Sequence, residues 1–249
     1  MNPVRLPATP VPAGVPCYLI EMMKKFDAVV FDLDNTLYSY DKAHAAAWAA
    51  LLALAQRELS LSPERFGALH AEASRILTER CGGGPAIHNR LIRFQILLEL
   101  AQLPFGRAPE LADCYWNTLL RAMEPEPGAR ETLLRLKQMG LRTGVGTNMT
   151  ADRQFDKLRL LGLTPYVDFL VTSEELGVEK PDARLFALCA QKAGTVPERC
   201  VFVGDSLTKD ASAAQAAGMQ GVWYCPGAER QAPEGIWTVR TLPEIPEYL

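Results

Sequence analysis

Two carboxylates one residue apart, Asp32 and Asp34, have the spacing of a site that handles a cation. They follow Phe26–Phe31, a run of apolar and β-branched residues typical of a buried parallel strand. Two carboxylates this close repel each other unless a cation lies between them. Taken alone, the pair suits an Asx turn with a solvated aspartate equally well. The alternative is a site for a hard divalent cation such as Mg²⁺, at the strand end where open α/β sheets bind ligands.

Three further groups of polar residues stand at the carboxyl ends of predicted strands: Thr147 with Asn148, Lys180, and Asp205 with Asp210. Each alone has an ordinary explanation as a helix cap, a solvated charge or a turn residue. Because the carboxyl ends of parallel strands meet at one edge of a sheet, we expect these side chains to lie together with the first two aspartates. Such a set supplies what phosphoryl transfer needs: metal ligands, a nucleophile, a proton donor and groups that bind the phosphoryl oxygens.

A long helical segment separates the first predicted strand from the others. Residues 40–123 are predicted as four helices, with Asp41 and Ser62 as N-caps of the first two and the third beginning at His88. From Ala129 onward helices and strands alternate, which predicts a parallel sheet. The expected fold class is therefore α/β: a Rossmann-like core of three α/β/α layers with an inserted all-helical cap, placed as a lid over the carboxyl edge of the sheet.

These patterns divide the chain into three parts. Residues 1–21 are interrupted by prolines and are predicted to be a disordered tail, with Met22 as a candidate start of the chain. Residues 22–38 and 127–249 are predicted to form the α/β core. Residues 39–126 are predicted to form the helical cap.

Composition narrows the function classes. The chain has 249 residues, 48% hydrophobic, and a net charge of −3 without a Lys/Arg run, so we expect no nucleic-acid partner and no membrane partner. None of its six cysteines stands in C-x-x-C spacing, which indicates reduced thiols and a cytoplasmic protein rather than a zinc site. The Gly144-Val145-Gly146 segment lacks the third glycine of a dinucleotide-binding loop.

The polar groups together resemble the four motifs of the haloacid dehalogenase-like (HAD) hydrolase superfamily, on its phosphatase branch. The matching segments are, in chain order, Asp32-Leu33-Asp34-Asn35-Thr36-Leu37, then Thr147-Asn148, then Lys180 within Glu179-Lys180-Pro181-Asp182, and finally Gly204-Asp205-Ser206 with Asp210. The resemblance covers about residues 25–225, and the helical insertion after the first motif is similar to the cap of the family's commonest capped class.

The chemistry and the resemblance assign the same roles. Asp32 is expected to attack phosphorus and form an aspartyl-phosphate, while Asp34 protonates the leaving alcohol and then accepts a proton from water. The resemblance implies that Mg²⁺ is held by Asp32, the main-chain carbonyl of Asp34 and Asp205. Asp210 is expected to hold metal-bound water or to orient Lys180.

The phosphoryl oxygens are expected to contact four groups. Thr147 and Lys180 bind them through their side chains, and Lys180 is also counted among the catalytic residues. The backbone N–H groups of Leu33 and Asn148 are expected to assist.

Other functions stay open on the sequence. The resemblance implies that a dehalogenase lacks an acid at Asp34, because halide leaves without a proton, so phosphate is favoured over halide. A phosphomutase would use the same residues, and a non-catalytic binding module could share the fold. The expected substrate is a small phosphorylated metabolite, for instance a nucleotide or sugar phosphate, and the protein is expected to be a monomer or a homodimer. The residues proposed to face the pocket are Tyr38, Tyr40, His44, Arg90 and Arg93.

Overall fold

Six parallel strands form one sheet in the computed structural model, which describes residues 25–82, 84–227 and 232–249. The strands are β1 (Ala28–Phe31), β2 (Arg142–Thr147), β3 (Phe169–Thr172), β4 (Cys200–Gly204), β5 (Gln220–Tyr224) and β6 (Trp237–Val239). Their order is β3-β2-β1-β4-β5-β6, so the first strand lies inside the sheet and pairs with β2 and β4. The chain builds one side of β1 and then crosses to the other, and such sheets bind ligands where the winding reverses.

Four helices follow β1 before the sheet resumes: α1 (Tyr40–Leu59), α2 (Pro63–Cys81), α3 (Arg90–Leu100) and α4 (Ala108–Ala122). Within this segment the described residues contain no strand, in agreement with the sequence. One face of α1 is buried at every fourth position from Ala43 to Ala55, as the helical period requires. Ser62 caps α2 as predicted, because its Oγ accepts a hydrogen bond from the Arg65 amide at 3.2 Å.

The two connections between this insertion and the sheet run side by side. Tyr38 pairs with Pro125 in an isolated antiparallel bridge, and the Glu126 amide donates to the Leu37 carbonyl at 2.8 Å. Tyr38 is completely buried. The insertion is therefore attached next to the end of β1, beside the two aspartates of the first motif.

Helices cover both faces of the sheet. They are α5 (Ala129–Gln138), α6 (Ala151–Leu160), the short α7 (Ser173–Leu176), α8 (Ala183–Ala193) and α9 (Ser212–Ala216). Val29 belongs to one hydrophobic cluster with buried leucines of α5 and α6, whereas its neighbour Val30 belongs to a second cluster with residues of α8 and α9. Alternation along β1 thus supplies two cores, which is the expected three-layer α/β/α arrangement.

Two element boundaries differ from the sequence prediction. Ser39, not Asp41, occupies the N-cap position of α1. The third helix begins at Arg90 rather than His88, because Pro85–His88 forms a separate 3₁₀ turn and the Asn89 side chain caps the following helix. Proline at the start of a segment and an Asx cap shortly after it divide one apolar pattern into two elements.

The C-terminal part contains elements that the sequence pattern did not predict. Helix α9 is preceded by a π-helical turn, Leu207–Ala211, in which the amides of Asp210 and Ala211 both donate to the Ser206 carbonyl. The three-residue strand β6 is too short to show a period and forms by pairing with β5. A 3₁₀ helix, Leu242–Glu247, follows it.

The cysteines, the helix lengths and the N-terminal residues bear on the remaining expectations from the sequence. The cysteines within the described residues are all free thiols. Across the described ranges, each helix is too short or too polar to cross a membrane. The predicted tail at residues 1–21 lies outside the described residues.

We predict that Gly221→Ala destabilises the sheet strongly. A Cβ atom at this position of β5 would lie 2.1 Å from the Ala211 carbonyl oxygen, a backbone atom that cannot rotate away. The free energy of unfolding should fall by roughly 3 kcal/mol, measured by urea denaturation. Gly67→Ala in α2 is the control, because its Cβ would meet open space and should raise stability by up to about 1 kcal/mol. An unchanged urea midpoint for Gly221→Ala would contradict the backbone contact.

Candidate active site

Three aspartates meet at the carboxyl edge of β1 and β4. Asp32 directly follows β1, and its amide donates to the Val203 carbonyl at 2.8 Å, which extends the pairing of the two strands. Asp205 directly follows β4, and Asp210 lies in the π-helical turn beyond it. One carboxylate oxygen from each of Asp32, Asp205 and Asp210 lies within 4.8 Å of the others.

Gly204 makes room for this arrangement. A Cβ atom on Gly204 would lie 2.4 Å from the Asp210 carboxyl group, so a side chain at this position would displace Asp210. The Ser206 amide donates to Asp210 Oδ2 at 3.0 Å and fixes the carboxylate from the other side. The glycine of the fourth motif is thus explained by close packing against an aspartate of the same motif.

Lys180 lies between two of the aspartates. Its Nζ atom is 2.7 Å from Asp32 Oδ1 and 2.6 Å from Asp210 Oδ1, and its side chain is almost completely buried. Burial alone would lower the pKa of Lys180, but the two carboxylates outweigh it and hold the pKa above its usual value. Lys180 is therefore a permanent cation inside the acidic cluster.

Asn148 and Thr147 hold the neighbouring loops in place. The Asn148 Oδ1 atom accepts from the Lys180 amide at 2.8 Å, so its side chain fixes the loop that carries the lysine. The Thr147 hydroxyl accepts a hydrogen bond from Gln154 Nε2 at 2.7 Å. Leu33 is fully buried, and its carbonyl accepts from the amides of Thr36 and Leu37 in the turn after β1.

The Asp34 side chain lies apart from the three-aspartate cluster and has its own partners. Lys157 Nζ is 2.6 Å from Asp34 Oδ1, the Tyr38 hydroxyl donates to the same oxygen, and Gln154 Nε2 is 3.3 Å from Oδ2. Burial would raise the pKa of Asp34, but the Lys157 charge and these hydrogen bonds hold it below its usual value. Asp32 and Asp34, although two positions apart, thus lie in different electrostatic environments.

Lys157 and Gln154 are site residues that the sequence reasoning missed. Both are completely buried on α6, three positions apart on one face, beside the apolar Leu158. A long polar side chain at a buried helix position needs a partner, and here the partners are Asp34 and Thr147. The available signal was this pair of polar residues within an otherwise apolar helix stripe.

The acidic cluster carries more negative charge than its lysine balances. Burial raises the pKa of Asp32 to about 7; the Lys180 charge opposes the shift, and the Asp210 and Asp34 charges reinforce it. Burial, reinforced by Asp210, also raises the pKa of Asp205 to about 6. Among the described residues no cationic side chain pairs with Asp205. Three carboxylates facing one ammonium group leave a charge that one divalent cation would balance, and carboxylate oxygens are the ligands Mg²⁺ prefers.

The helical insertion contributes a polar cluster of its own. The Tyr40 and Tyr115 hydroxyls lie 3.1 Å apart, His44 Nδ1 is 2.8 Å from the Tyr115 hydroxyl, and Arg90 Nη2 donates to both tyrosines. Tyr40, His44 and Arg90, three of the residues expected to face the pocket, therefore lie together. Arg93 donates instead to the Ile87 carbonyl.

Comparison with known proteins decides the family. The profile of the haloacid dehalogenase-like hydrolases matches residues 26–218. This chain is a haloacid dehalogenase-like hydrolase. Among its relatives, the ribulose-1,5-bisphosphate 5-phosphatase of Halopiger xanaduensis is 39% identical over 83% of this chain and 88% of that protein. The glyceraldehyde 3-phosphate phosphatase of Methanopyrus kandleri is 34% identical over 77% and 81%.

Solved structures of haloacid dehalogenase-like hydrolases share this fold. The magnesium-bound HAD-hydrolase YfnB of Bacillus subtilis superposes with a TM-score of 0.67 at 25% identity, over 91% of this chain and 99% of that one. The 2-haloacid dehalogenase of Pseudomonas syringae superposes with a TM-score of 0.68 at 27% identity, over 89% and 97%. The resemblance inferred from the motifs is confirmed, as are the α/β fold class and the assignment as a phosphatase of this superfamily, since the curated relatives are phosphatases.

Because Lys157 holds the Asp34 carboxylate, we predict that Lys157→Met impairs proton transfer to the leaving group. The turnover number for an alkyl phosphate should fall about 100-fold, the usual contribution of a general acid. The loss for p-nitrophenyl phosphate should be much smaller, because p-nitrophenolate leaves without a proton. Steady-state kinetics on both substrates measure the difference.

Lys209→Met is the matched control, because Lys209 is an exposed lysine of the neighbouring π-helical turn. Its kinetics should equal those of the unmodified enzyme. Equal losses on both substrates for Lys157→Met would show that the lysine acts on overall structure and not on Asp34.

Proposed function

We propose that this protein is a Mg²⁺-dependent phosphatase that hydrolyses a small phosphorylated metabolite through an aspartyl-phosphate. The observation that carries the proposal is the cluster of Asp32, Asp205 and Asp210 around the buried Lys180 at the carboxyl edge of the sheet. The phosphatase relatives, which include a sugar bisphosphatase and triose phosphatases, favour a sugar phosphate over a nucleotide, although one relative at 28% identity is the pyrimidine 5'-nucleotidase YjjG of Escherichia coli.

Asp32 is the proposed nucleophile. It lies at the end of a central strand, its backbone is fixed by β4, and its carboxylate is oriented by Lys180. Attack of an Asp32 oxygen on phosphorus forms the aspartyl-phosphate and releases the alcohol, so one difficult displacement becomes two easier ones. Water then attacks the same phosphorus, which releases phosphate and restores Asp32.

Asp34 is the proposed acid and base. It donates a proton to the departing alkoxide in the first step and takes one from the attacking water in the second. Its low pKa in the free protein suits the second step. For the first step Asp34 must take up a proton when the anionic phosphate approaches, because a nearby negative charge raises the pKa of a carboxyl group.

A divalent cation fits the acidic cluster. Asp32 and Asp205 are the proposed side-chain ligands, with the Asp34 carbonyl as a main-chain ligand. Asp210 is proposed to hold metal-bound water or to orient Lys180, whose Nζ atom it contacts at 2.6 Å. When bound, the cation neutralises phosphate charge, so that a carboxylate can approach an anionic substrate. The magnesium-bound relative YfnB supports Mg²⁺ as the ion. Lys180 and Thr147, together with the Leu33 and Asn148 amides, are proposed to bind the phosphoryl oxygens.

Residues 39–126 are proposed to act as the cap that selects the substrate. The segment leaves the core next to Asp34 and returns beside it, at the isolated bridge between Tyr38 and Pro125. It also touches the loop of the third motif, where His88 Nε2 lies 2.6 Å from Glu179 Oε1. The report of interdomain movement in YfnB supports a cap that opens and closes. Closure excludes water until the alcohol has left. A monomer or homodimer in the cytoplasm remains our expectation.

We predict that Asp32→Asn abolishes hydrolysis while the protein stays folded. The amide is a poor nucleophile, so p-nitrophenyl phosphate turnover should fall by at least about 1000-fold. Release of inorganic phosphate from the unmodified enzyme also separates a phosphatase from a phosphomutase, which returns the phosphoryl group to the bound sugar phosphate. Asp182→Asn, at the half-buried N-cap of α8, is the control, because asparagine can cap the helix as aspartate does. Substantial turnover by Asp32→Asn would exclude the covalent mechanism.

We predict that EDTA removes activity and that Mg²⁺ restores it, whereas Ca²⁺ inhibits. Ca²⁺ takes more oxygen ligands at longer distances and disturbs in-line attack. Isothermal titration gives a second readout: Asp205→Asn should weaken Mg²⁺ binding by at least tenfold. Full activity after exhaustive chelation, or equal Mg²⁺ affinity in both proteins, would rule out this ion site.

A further inference from the structure

Arg90 belongs to a polar cluster in the helical insertion that the proposed chemistry does not use. Its Nη2 atom lies 3.1 Å from the Tyr40 hydroxyl and 3.3 Å from the Tyr115 hydroxyl. The guanidinium carbon stacks 4.9 Å from the Tyr115 ring centroid and 5.9 Å from that of Trp116. Tyr115 and Trp116 are both buried, so the guanidinium packs against two rings that the core holds in place.

In the part of the chain that the structure describes, no acid pairs with Arg90. Within the described residues no carboxylate oxygen lies within 4.0 Å of its guanidinium or of that of Arg93, one helical turn away. Both hydrogen bonds of Arg90 come from Nη2, so Nε and Nη1 have no protein acceptor in the described part of the chain. The buried Nε of Arg93 also has no partner. Arginines in partly buried positions are normally paired, so these two guanidinium groups have donors and charge available for an anion.

The surroundings make this shortage of negative charge larger. Arg90 is the first residue of α3, and a helix N-terminus carries a partial positive charge that disfavours a cation. Burial lowers the pKa of Arg93 to about 10, and the Arg90 charge adds to the effect. Burial, with the same two arginines, lowers the pKa of His70 to about 3, so this neighbouring ring is neutral and does not offset their charge. The charge of Asp41 raises the pKa of His44, but Asp41 is exposed and forms no ion pair with Arg90 within the described residues.

The cluster borders the proposed reaction centre. Lys157, which contacts Asp34 at 2.6 Å, lies 5.8 Å from the centroid of the Tyr40 ring. The hydroxyl of that same tyrosine contacts Arg90. A short series of contacts therefore leads from the proposed acid to the unpaired guanidinium, along the cap side of the site.

We propose that the substrate carries a second oxyanion, a phosphate or a carboxylate, at the end away from the scissile phosphate, and that Arg90 binds it beside Tyr40 and Tyr115. The proposal rests on the phosphatase function and names its substrate class. Arg93 supplies further positive charge, and hydrogen bonds from a charged donor discriminate strongly between substrates with and without the anion. A bisphosphorylated or phosphorylated-acid metabolite is thus favoured over one whose only anionic group is the scissile phosphate.

The test compares pairs of substrates that differ in the second anion. Ribulose 1,5-bisphosphate is paired with ribulose 5-phosphate, and 3-phosphoglycerate with glyceraldehyde 3-phosphate; p-nitrophenyl phosphate has no second anion. The unmodified enzyme should prefer the member with two anionic groups, called here the doubly anionic substrate, by at least tenfold in kcat/KM in one of the pairs. The pair that shows the preference tells whether the second group is a phosphate or a carboxylate.

Arg90→Met should remove this preference through KM. For the doubly anionic substrate kcat/KM should fall on the order of 10- to 100-fold, while kcat/KM for p-nitrophenyl phosphate stays within about twofold because the reaction centre is untouched. Arg90→Lys should give an intermediate loss, since it keeps the charge but not the planar donor set, and it decides the question if Arg90→Met fails to fold. Arg57→Met, at an exposed position of α1, is the matched control and should change nothing.

Two results would overturn the proposal: an unmodified enzyme that treats both members of each pair alike, or an Arg90 variant that loses p-nitrophenyl phosphate hydrolysis as much as hydrolysis of the doubly anionic substrate. If the unmodified enzyme hydrolyses none of the five phosphates, the phosphatase function itself is wrong, and the subsite falls with it.

Discussion

Mutual repulsion among Asp32, Asp205 and Asp210 is the constraint on which the rest of the site depends. Three carboxylates within a few ångströms are tolerable only because Lys180 lies between two of them and because a cation can take the remaining charge. The parallel sheet holds the first two carboxylates at adjacent strand ends, and the π-helical turn brings in the third. The fold thus gathers negative charge at the place where the proposed divalent cation would balance it.

The two aspartates of the first motif have different surroundings and therefore different pKa values. Asp32 and Asp34 are chemically identical and two positions apart, yet burial among carboxylates raises the pKa of one, while Lys157 and its hydrogen-bonding partners lower the pKa of the other. Two carboxyl groups whose pKa values are shifted in opposite directions are suited to different roles. The helical insertion adds a third environment around Arg90, which is positive and, within the described residues, has no acid in contact with the guanidinium. We propose that it receives the part of the substrate away from the reacting phosphate.

The aspartate cluster and the layers of the fold could be predicted from the sequence, because apolar runs mark where the strands end. Apolar runs followed by Asp32 and Asp205 indicated which residues would meet at the sheet edge, and alternation of helix and strand gave the layers. Lys157 and Gln154 were not found, because a lysine on a helix usually points to solvent and only tertiary packing turns it toward Asp34. The strand Trp237–Val239 was missed because three residues show no period and depend on pairing with a neighbour.

The central claim, that Asp32 becomes phosphorylated, is tested most directly by trapping the intermediate. The enzyme is quenched in acid during turnover of its best substrate, reduced with borohydride, which converts an aspartyl-phosphate to homoserine, and digested for peptide mass spectrometry. The account predicts homoserine at position 32, only when substrate and Mg²⁺ are both present. Homoserine at another aspartate, or at none while phosphate is being released, would contradict it.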